Sequence, residues 1–250
     1  MSAAVVIGAG PGLGLSLVRA CASAGYATGF IGRRAGAVAG YGETLAAEGL
    51  SDTLGTCGDA ADPVSLTGAL DRLRQAQGAP ELLICNAAIV EPSRFVTPSG
   101  IETARYADAP GWQARGAPLD AETLVAQFRA NVAGALTAAQ HVAPDMIAQG
   151  RGTILLTGGA LAFGPWIEWG AVSLGKAALR SLGQSLALEL GPHGVQVAVV
   201  AIHGTMAPGT PYDPDLVAEH YLSLHRRPRP DWTVDAHYKM NEDDGKDPDR

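Results

Sequence analysis

Short apolar runs alternate with longer amphipathic stretches along most of the chain. Ala3–Ile7 reads as a buried strand and Gly8-Ala9-Gly10-Pro11-Gly12-Leu13-Gly14 as a tight turn. Leu15–Ala24 then follows as an apolar helix and Tyr26–Ile31 as a second strand. The pattern recurs with strands at Leu50–Cys57 and Leu82–Cys85 around a helix at Val64–Gln77. Ala121–Ala148 reads as one long helix or two abutting ones, broken near Pro144. Thr153–Thr157 is a further strand, Val172–Glu189 a helix stopped by Gly191-Pro192, Val195–Val200 a strand and Asp215–Leu224 a helix. This alternation predicts an α/β chain: a Rossmann-like, doubly wound parallel sheet with helices on both faces, in one domain over 1–235, then a polar acidic tail over 236–250. Glu91–Asp120 has four prolines and no clean period, and reads as a surface excursion or a lid over the cofactor end of the sheet.

Composition narrows the classes. At 250 residues, 47% hydrophobic and 17% charged, the chain has enough apolar side chain for one sizeable core. Its net charge of −7 argues against a general nucleic-acid binder. Five acids against two bases in Met240–Arg250 put −3 of that charge in the tail. Cys21, Cys57 and Cys85 lie far apart without a CxxC, giving neither a disulfide framework nor a metal-ligand spacing. With no leader pattern and no lipophilic span, a soluble, cytoplasmic protein is expected, with no membrane partner.

The glycine turn carries the clearest chemistry. Gly8, Gly12 and Gly14 follow a strand and open a helix, where small residues let the backbone approach a diphosphate and the first-turn N–H groups, at Leu13 and Gly14, can receive it. The end of the second strand separates NAD from NADP. An acid there would hold ribose hydroxyls, but Gly32 is followed by Arg33 and Arg34, suited to a 2′-phosphate and to stacking on adenine. NADP(H) is the expected cofactor.

With these residues in view, the chain resembles the short-chain dehydrogenase/reductases over residues 1 to about 235. The family's glycine motif falls on Gly8, Gly12 and Gly14, and its acid near the adenine on Asp59. Its Asn-Ala-Gly stretch appears as Asn86-Ala87-Ala88, its helix asparagine as Asn131 and its lysine as Lys176. The resemblance extends the nucleotide-binding set to Ala60, Ala87, Lys176, Gly204 and Thr205. A narrower similarity, in Gly170–Leu190, Ile202–Thr205 and Ala218–Trp232, is to an atypical bacterial subgroup and implies no specific reaction. The family also implies a homodimer or homotetramer through the helices around 121–148 and 172–189.

The family's working machinery is Tyr-x-x-x-Lys with a serine about thirteen residues before the tyrosine. Counting back from Lys176 lands on Val172 and then on Gly159, so the expected active site lacks both hydroxyls. Candidate catalytic residues are then Lys176, Asn131, Glu168, Thr157 and His203. Glu168, packed between Trp166 and Trp169, could be an acid with a raised pKa. Thr157, two residues before Gly159, could bind a carbonyl oxygen. His203 titrates in the right range for acid–base work. Tyr106 and Tyr212 could reach inward, and Trp112, Trp166 and Trp169 could line an apolar pocket. The expected activity is reduction of a carbonyl, enone or imine on a mostly apolar small molecule. A non-redox isomerase or dehydratase and a non-catalytic NADP-binding subunit are the alternatives.

Overall fold

In a computed structural model, describing residues 2–100 and 116–240, seven parallel strands form one sheet in the order β3-β2-β1-β4-β5-β6-β7. The strands are β1 (Ala3–Ile7), β2 (Ala27–Gly32), β3 (Thr53–Cys57), β4 (Pro80–Cys85), β5 (Gly152–Thr157), β6 (Val195–Ile202) and β7 (Asp235–Tyr238). Between them run α1 (Leu13–Ser23), α2 (Ala35–Ala47), α3 (Pro63–Gln77), α4 (Ala121–Phe128), α5 (Gly134–Gln149), α6 (Gly170–Leu190) and α7 (Pro214–His225). The doubly wound sheet expected from the alternation is what the chain forms.

Strand alternation divides the core in two. Val5 and Ile7 join Leu83, Ile154 and Leu156 under α3, α5 and α6. Ala4 and Val6 join Leu82, Ile84 and Leu155 under α1, α2 and α7. Each buried leucine or isoleucine contributes about 1.5–3 kcal/mol over exposure. The sheet is wound outward in both directions from β1 and β4, so the crevice of the fold opens beyond Ile7 and Cys85.

Three features differ from the sequence reading. The chain does not break at Pro144, which lies inside α5. Val142 and Met146, 2% and 0% exposed, anchor the helix on both sides of it. The irregularity is instead a π-helical turn at Arg129–Ala133 joining α4 to α5. α2 was not expected, since Gly36, Gly40 and Gly42 blur its period, yet Val38 and Leu45 fix it to the sheet. β7 carries the sheet three residues beyond 235, where a polar tail was expected to begin.

Candidate functional site

The crevice at the β1/β4 switch is a cleft of about 360 Å³ lined by Gly8, Gly10, Arg33, Arg34, Asp59, Ala60, Asn86 and Ala87, among others. Its floor is set by backbone contact. Gly8 has φ +91°, and a Cβ there would sit 2.3 Å from the Ala87 nitrogen. A Cβ on Gly14 would sit 2.4 Å from the Gly8 carbonyl oxygen. Any side chain at either position would drive the turn away from its neighbours.

Gly10 and Gly12 show the opposite property, because a Cβ on either would meet nothing within 4 Å. Leu15 N–H and Ser16 N–H bond back to Gly10 and Gly12 carbonyls, while Leu13 and Gly14 N–H have no acceptor among the described residues. A turn with open space beside it and unspent helix N-terminal donors fits a diphosphate.

Arg33 and Arg34 are exposed on the wall of the cleft, and neither forms an ion pair among the described residues. Arg33 is fixed at its carbonyl, which accepts from the Cys57 thiol at 3.2 Å. Asp59 holds its own loop: Oδ1 accepts from Ala61 N–H at 2.9 Å, and its N–H donates to Ser65 Oγ at 3.1 Å. The residues present thus fit an adenine dinucleotide with an extra phosphate at the arginine end.

Thr157, at the end of β5, is the junction of the other half. Lys176, on α6 one turn beyond Val172 and partly buried, donates from Nζ to the Thr157 carbonyl at 2.6 Å. Withdrawal from water lowers its pKa to about 8. The Thr157 hydroxyl donates to Asn86 Oδ1 at 3.1 Å and accepts from Tyr221 at 2.9 Å. The Thr157 hydroxyl, expected to meet a carbonyl oxygen, has its proton committed to Asn86 of the cleft and faces Tyr221 of α7.

Asn131 sits in the π-helical turn, 8% exposed, with both ends of its amide on Ile89. Oδ1 accepts from Ile89 N–H at 2.6 Å and Nδ2 donates to the Ile89 carbonyl at 3.1 Å. Its side chain lies 3.5 Å from where a Cβ on Gly175 would be, so it packs beside the helix turn carrying Lys176.

Glu168 also differs from expectation. Its carboxylate pairs with Arg94 through Nε at 2.6 Å and through Nη2, and accepts from Ser99 Oγ at 2.7 Å and Gly100 N–H at 3.1 Å. Arg94 first, then Ser99, hold its pKa below the usual carboxylate range, the reverse of a raised acid. Ser93 continues the clasp, with its N–H on the Glu168 carbonyl and its Oγ accepting from Ala171 N–H. Residues 93–100 are thereby stitched to the start of α6. Residues 101–115 of the expected lid or excursion, with Tyr106 and Trp112, lie outside the described residues.

His203 Nε2 lies 2.8 Å from His237 Nδ1; the His203 ring stacks on Phe163 and the His237 ring packs against it at a tilt. Burial first, then His237 and Lys239, lower the His203 pKa. Arg180 lies over the Phe163 ring at 4.7 Å and pairs with Asp235 through two bonds. Gly204 abuts the Tyr212 ring and Thr205 is exposed beyond it. Tyr212 itself packs edge-on to Tyr238, towards the sheet edge. Val172 is 3% exposed, while Trp166 and Ile167 are 56% and 64% exposed on the segment before α6.

Arg94, Phe163, His237 and Tyr221 were missed by sequence reasoning. Only Tyr221 carried a usable signal, since a tyrosine on the buried side of an amphipathic helix needs a partner for its hydroxyl.

Known proteins place the fold in a family. The short chain dehydrogenase family model matches residues 2–212. No functionally curated protein matches the sequence. Among solved structures, a short-chain dehydrogenase from Rhodopseudomonas palustris is 22% identical with a TM-score of 0.75, covering 96% of this chain and 99% of its own. A metagenomic short-chain oxidoreductase in complex with NADP is 21% identical with a TM-score of 0.75, over 96% and 98%. A gluconate 5-dehydrogenase from Burkholderia cenocepacia J2315, in complex with NADP and tartrate, is 24% identical with a TM-score of 0.67, over 86% and 75%. At these identities the likeness to each structure is one of fold. With the family match spanning most of its length, the chain belongs to the short-chain dehydrogenase family.

Proposed function

We propose that this chain is an NADP(H)-dependent oxidoreductase that reduces a carbonyl, enone or imine group on a mostly apolar small molecule, through an active site without the family's tyrosine and serine. The observation that carries the cofactor is that Arg33 and Arg34, without an ion pair among the described residues, lie on the same cleft as the glycine turn. Gly8, Gly12, Leu13 and Gly14 would face the diphosphate, Arg33 and Arg34 the 2′-phosphate, and Asp59 and Ala60 the adenine. Asn86, Ala87, Lys176, Gly204 and Thr205 would complete the nicotinamide half. Bound there, the nicotinamide supplies a hydride.

The proton must come from the chain or from water. Glu168 and Thr157 have their polar atoms committed elsewhere. His203 titrates below the ordinary imidazole range and is neutral at pH 7. Lys176, with a pKa of about 8, is an ammonium at pH 7 that can release a proton. Lys176 therefore takes the acid's role and also holds the ribose hydroxyls, while His203 lines the site with Phe163. Exposed Trp166 and Ile167 suit an apolar substrate. The apolar outer positions Val125, Phe128, Leu136 and Leu174 support a homo-oligomer built through α4, α5 and α6.

The test is to incubate the protein with NADPH deuterated stereospecifically at each C4 position and a panel of ketones, enones and imines, following label by mass spectrometry. Label in a product is the expected result. Tight retention of NADPH with no labelled product would move the reading towards a cofactor used as scaffold.

A further inference from the structure

A chain of hydrogen-bonded polar groups runs from the layer under α7 across the strand ends to the cleft. Tyr221, on α7 and 0% exposed, donates its hydroxyl to Thr157 Oγ1 at 2.9 Å. Thr157 donates to Asn86 Oδ1 at 3.1 Å, and Asn86 Nδ2 donates to the Gly8 carbonyl at 3.0 Å. The direction of every link follows from the last. A carbonyl only accepts, so Asn86 must turn its NH₂ to Gly8 and its oxygen to Thr157. Thr157 must then donate to Asn86, which leaves its own oxygen to accept from Tyr221. Burial raises the Tyr221 pKa and keeps the hydroxyl neutral and donating.

Both ends of this chain matter to the cleft. Gly8 stands in backbone contact with Ala87, and Asn86 N–H donates to the Ile7 carbonyl at 2.8 Å, so a shift of the Asn86 amide moves the turn. Thr157 also receives Lys176 on its carbonyl at 2.6 Å. One threonine thus ties the glycine turn on one side and the lysine on the other to a helix that lines no part of the cleft.

We infer that Tyr221 is a positioning residue of the nucleotide site: acting through Thr157 and Asn86, its hydroxyl holds the glycine turn and Lys176 at the spacing the dinucleotide requires. The inference rests on the nucleotide reading above only for what the cleft binds. Tyr221 touches neither cofactor nor substrate. It is enclosed in the layer under α7, and removing its hydroxyl strands the Thr157 acceptor while keeping the ring that fills the core.

The experiment compares wild type, Tyr221→Phe, Thr157→Val, Thr157→Ser and the double variant Tyr221→Phe/Thr157→Val. Amide hydrogen exchange of the nucleotide-free proteins is read by mass spectrometry over peptides spanning 8–14 and 86–89, with NADPH affinity read by fluorescence. Faster exchange in both peptides is expected for Tyr221→Phe and Thr157→Val, with NADPH affinity about 10-fold weaker. Thr157→Ser should retain wild-type values. In the Thr157→Val background the added Tyr221→Phe change should do nothing more to either readout.

A lower melting temperature with unchanged exchange in both peptides would overturn the inference, leaving the hydroxyl a core contact only. So would a full additional loss in the double variant, which would mean that Tyr221 acts by another route. Should Tyr221→Phe fail to fold, Thr157→Val breaks the same chain with the tyrosine in place, and unchanged exchange there is equally fatal. If wild type does not bind NADPH yet exchange at the turn still rises in Tyr221→Phe, the positioning role stands and the cofactor reading falls.

Discussion

The candidate site has two ends built from different material, and only the end with the glycine turn lines the cleft. At the adenosine end the work is done by backbone and by the absence of side chains: Gly8 against Ala87, Gly14 against Gly8, and open space beside Gly10 and Gly12. At the end carrying Lys176 it falls to single side chains on loops and helix starts, namely Lys176, the His203–His237 pair on Phe163, and the Glu168–Arg94 clasp. A backbone-built site tolerates little change, because its neighbours cannot move aside. A side-chain site can exchange its groups while the sheet stays in place, as the proposed loss of hydroxyls at Val172 and Gly159 would require. The family match speaks for the fold, and what either end of the site does is argued from its own residues.

The contrast breaks most readily at the turn. Gly8→Ala would add a methyl 2.3 Å from the Ala87 nitrogen at a φ of +91°. We expect a stability loss of about 3 kcal/mol or more and no measurable NADPH binding, read by thermal unfolding and fluorescence titration. An alanine variant that melted and bound like wild type would dispose of the backbone-built account.

Lys176→Met comes next, with turnover down by about 100-fold or more if the ammonium supplies the proton. Wild-type turnover should then fall as pH rises through about 8. Stability moves the other way. The lysine pKa is depressed from 10.5 to about 8 by burial, so between these values the unfolded chain holds a proton that the folded chain has released. Folding stability should thus rise with pH across that window, and the methionine variant should lack the rise, as denaturant titrations from pH 7 to 10 would show.

The same contrast explains what could be read without coordinates. Residues whose role is to be small or to lie on a strand are legible locally, so the sheet, the turn and Arg33–Arg34 follow from pattern. The reading of Val172 and Gly159 rests on the register that the family resemblance takes from Lys176. What side chains do depended on partners far away in sequence. Glu168 looked like an acid among tryptophans because Arg94, 74 residues earlier, could not be seen to reach it. Thr157 looked open because strand alternation cannot show that Tyr221 lies on that side. Pro144 argued for a break by local rules, whereas the core on both sides of it overrode them.

Arg33→Ala combined with Arg34→Ala sharpens the adenosine end further. Losing two charge-assisted contacts to a 2′-phosphate should weaken NADPH about 30-fold while leaving NADH within about 2-fold. Paired titrations with the two cofactors separate this from a general loss of the site. Equal weakening of both would mean that the arginines hold the loop rather than read the phosphate.

The smallest expected effect is the one that discriminates best at the reactive end. Glu168→Gln keeps the shape of a group that Arg94, Ser99 and Gly100 surround, and exchanges its charge and the acceptor oxygen facing Arg94 for an NH₂. If the carboxylate is a clasp, the melting temperature should drop by about 3 °C and turnover should stay within about 3-fold, since a glutamine still accepts from the serine and the backbone. If the carboxylate were the proton donor, the same substitution would cost about 100-fold in turnover with hardly any thermal shift. The geometry favours the first outcome for a specific reason. A carboxylate facing a guanidinium, a hydroxyl and a backbone N–H is stabilised as the anion, and donating a proton would require it to be protonated first against all three.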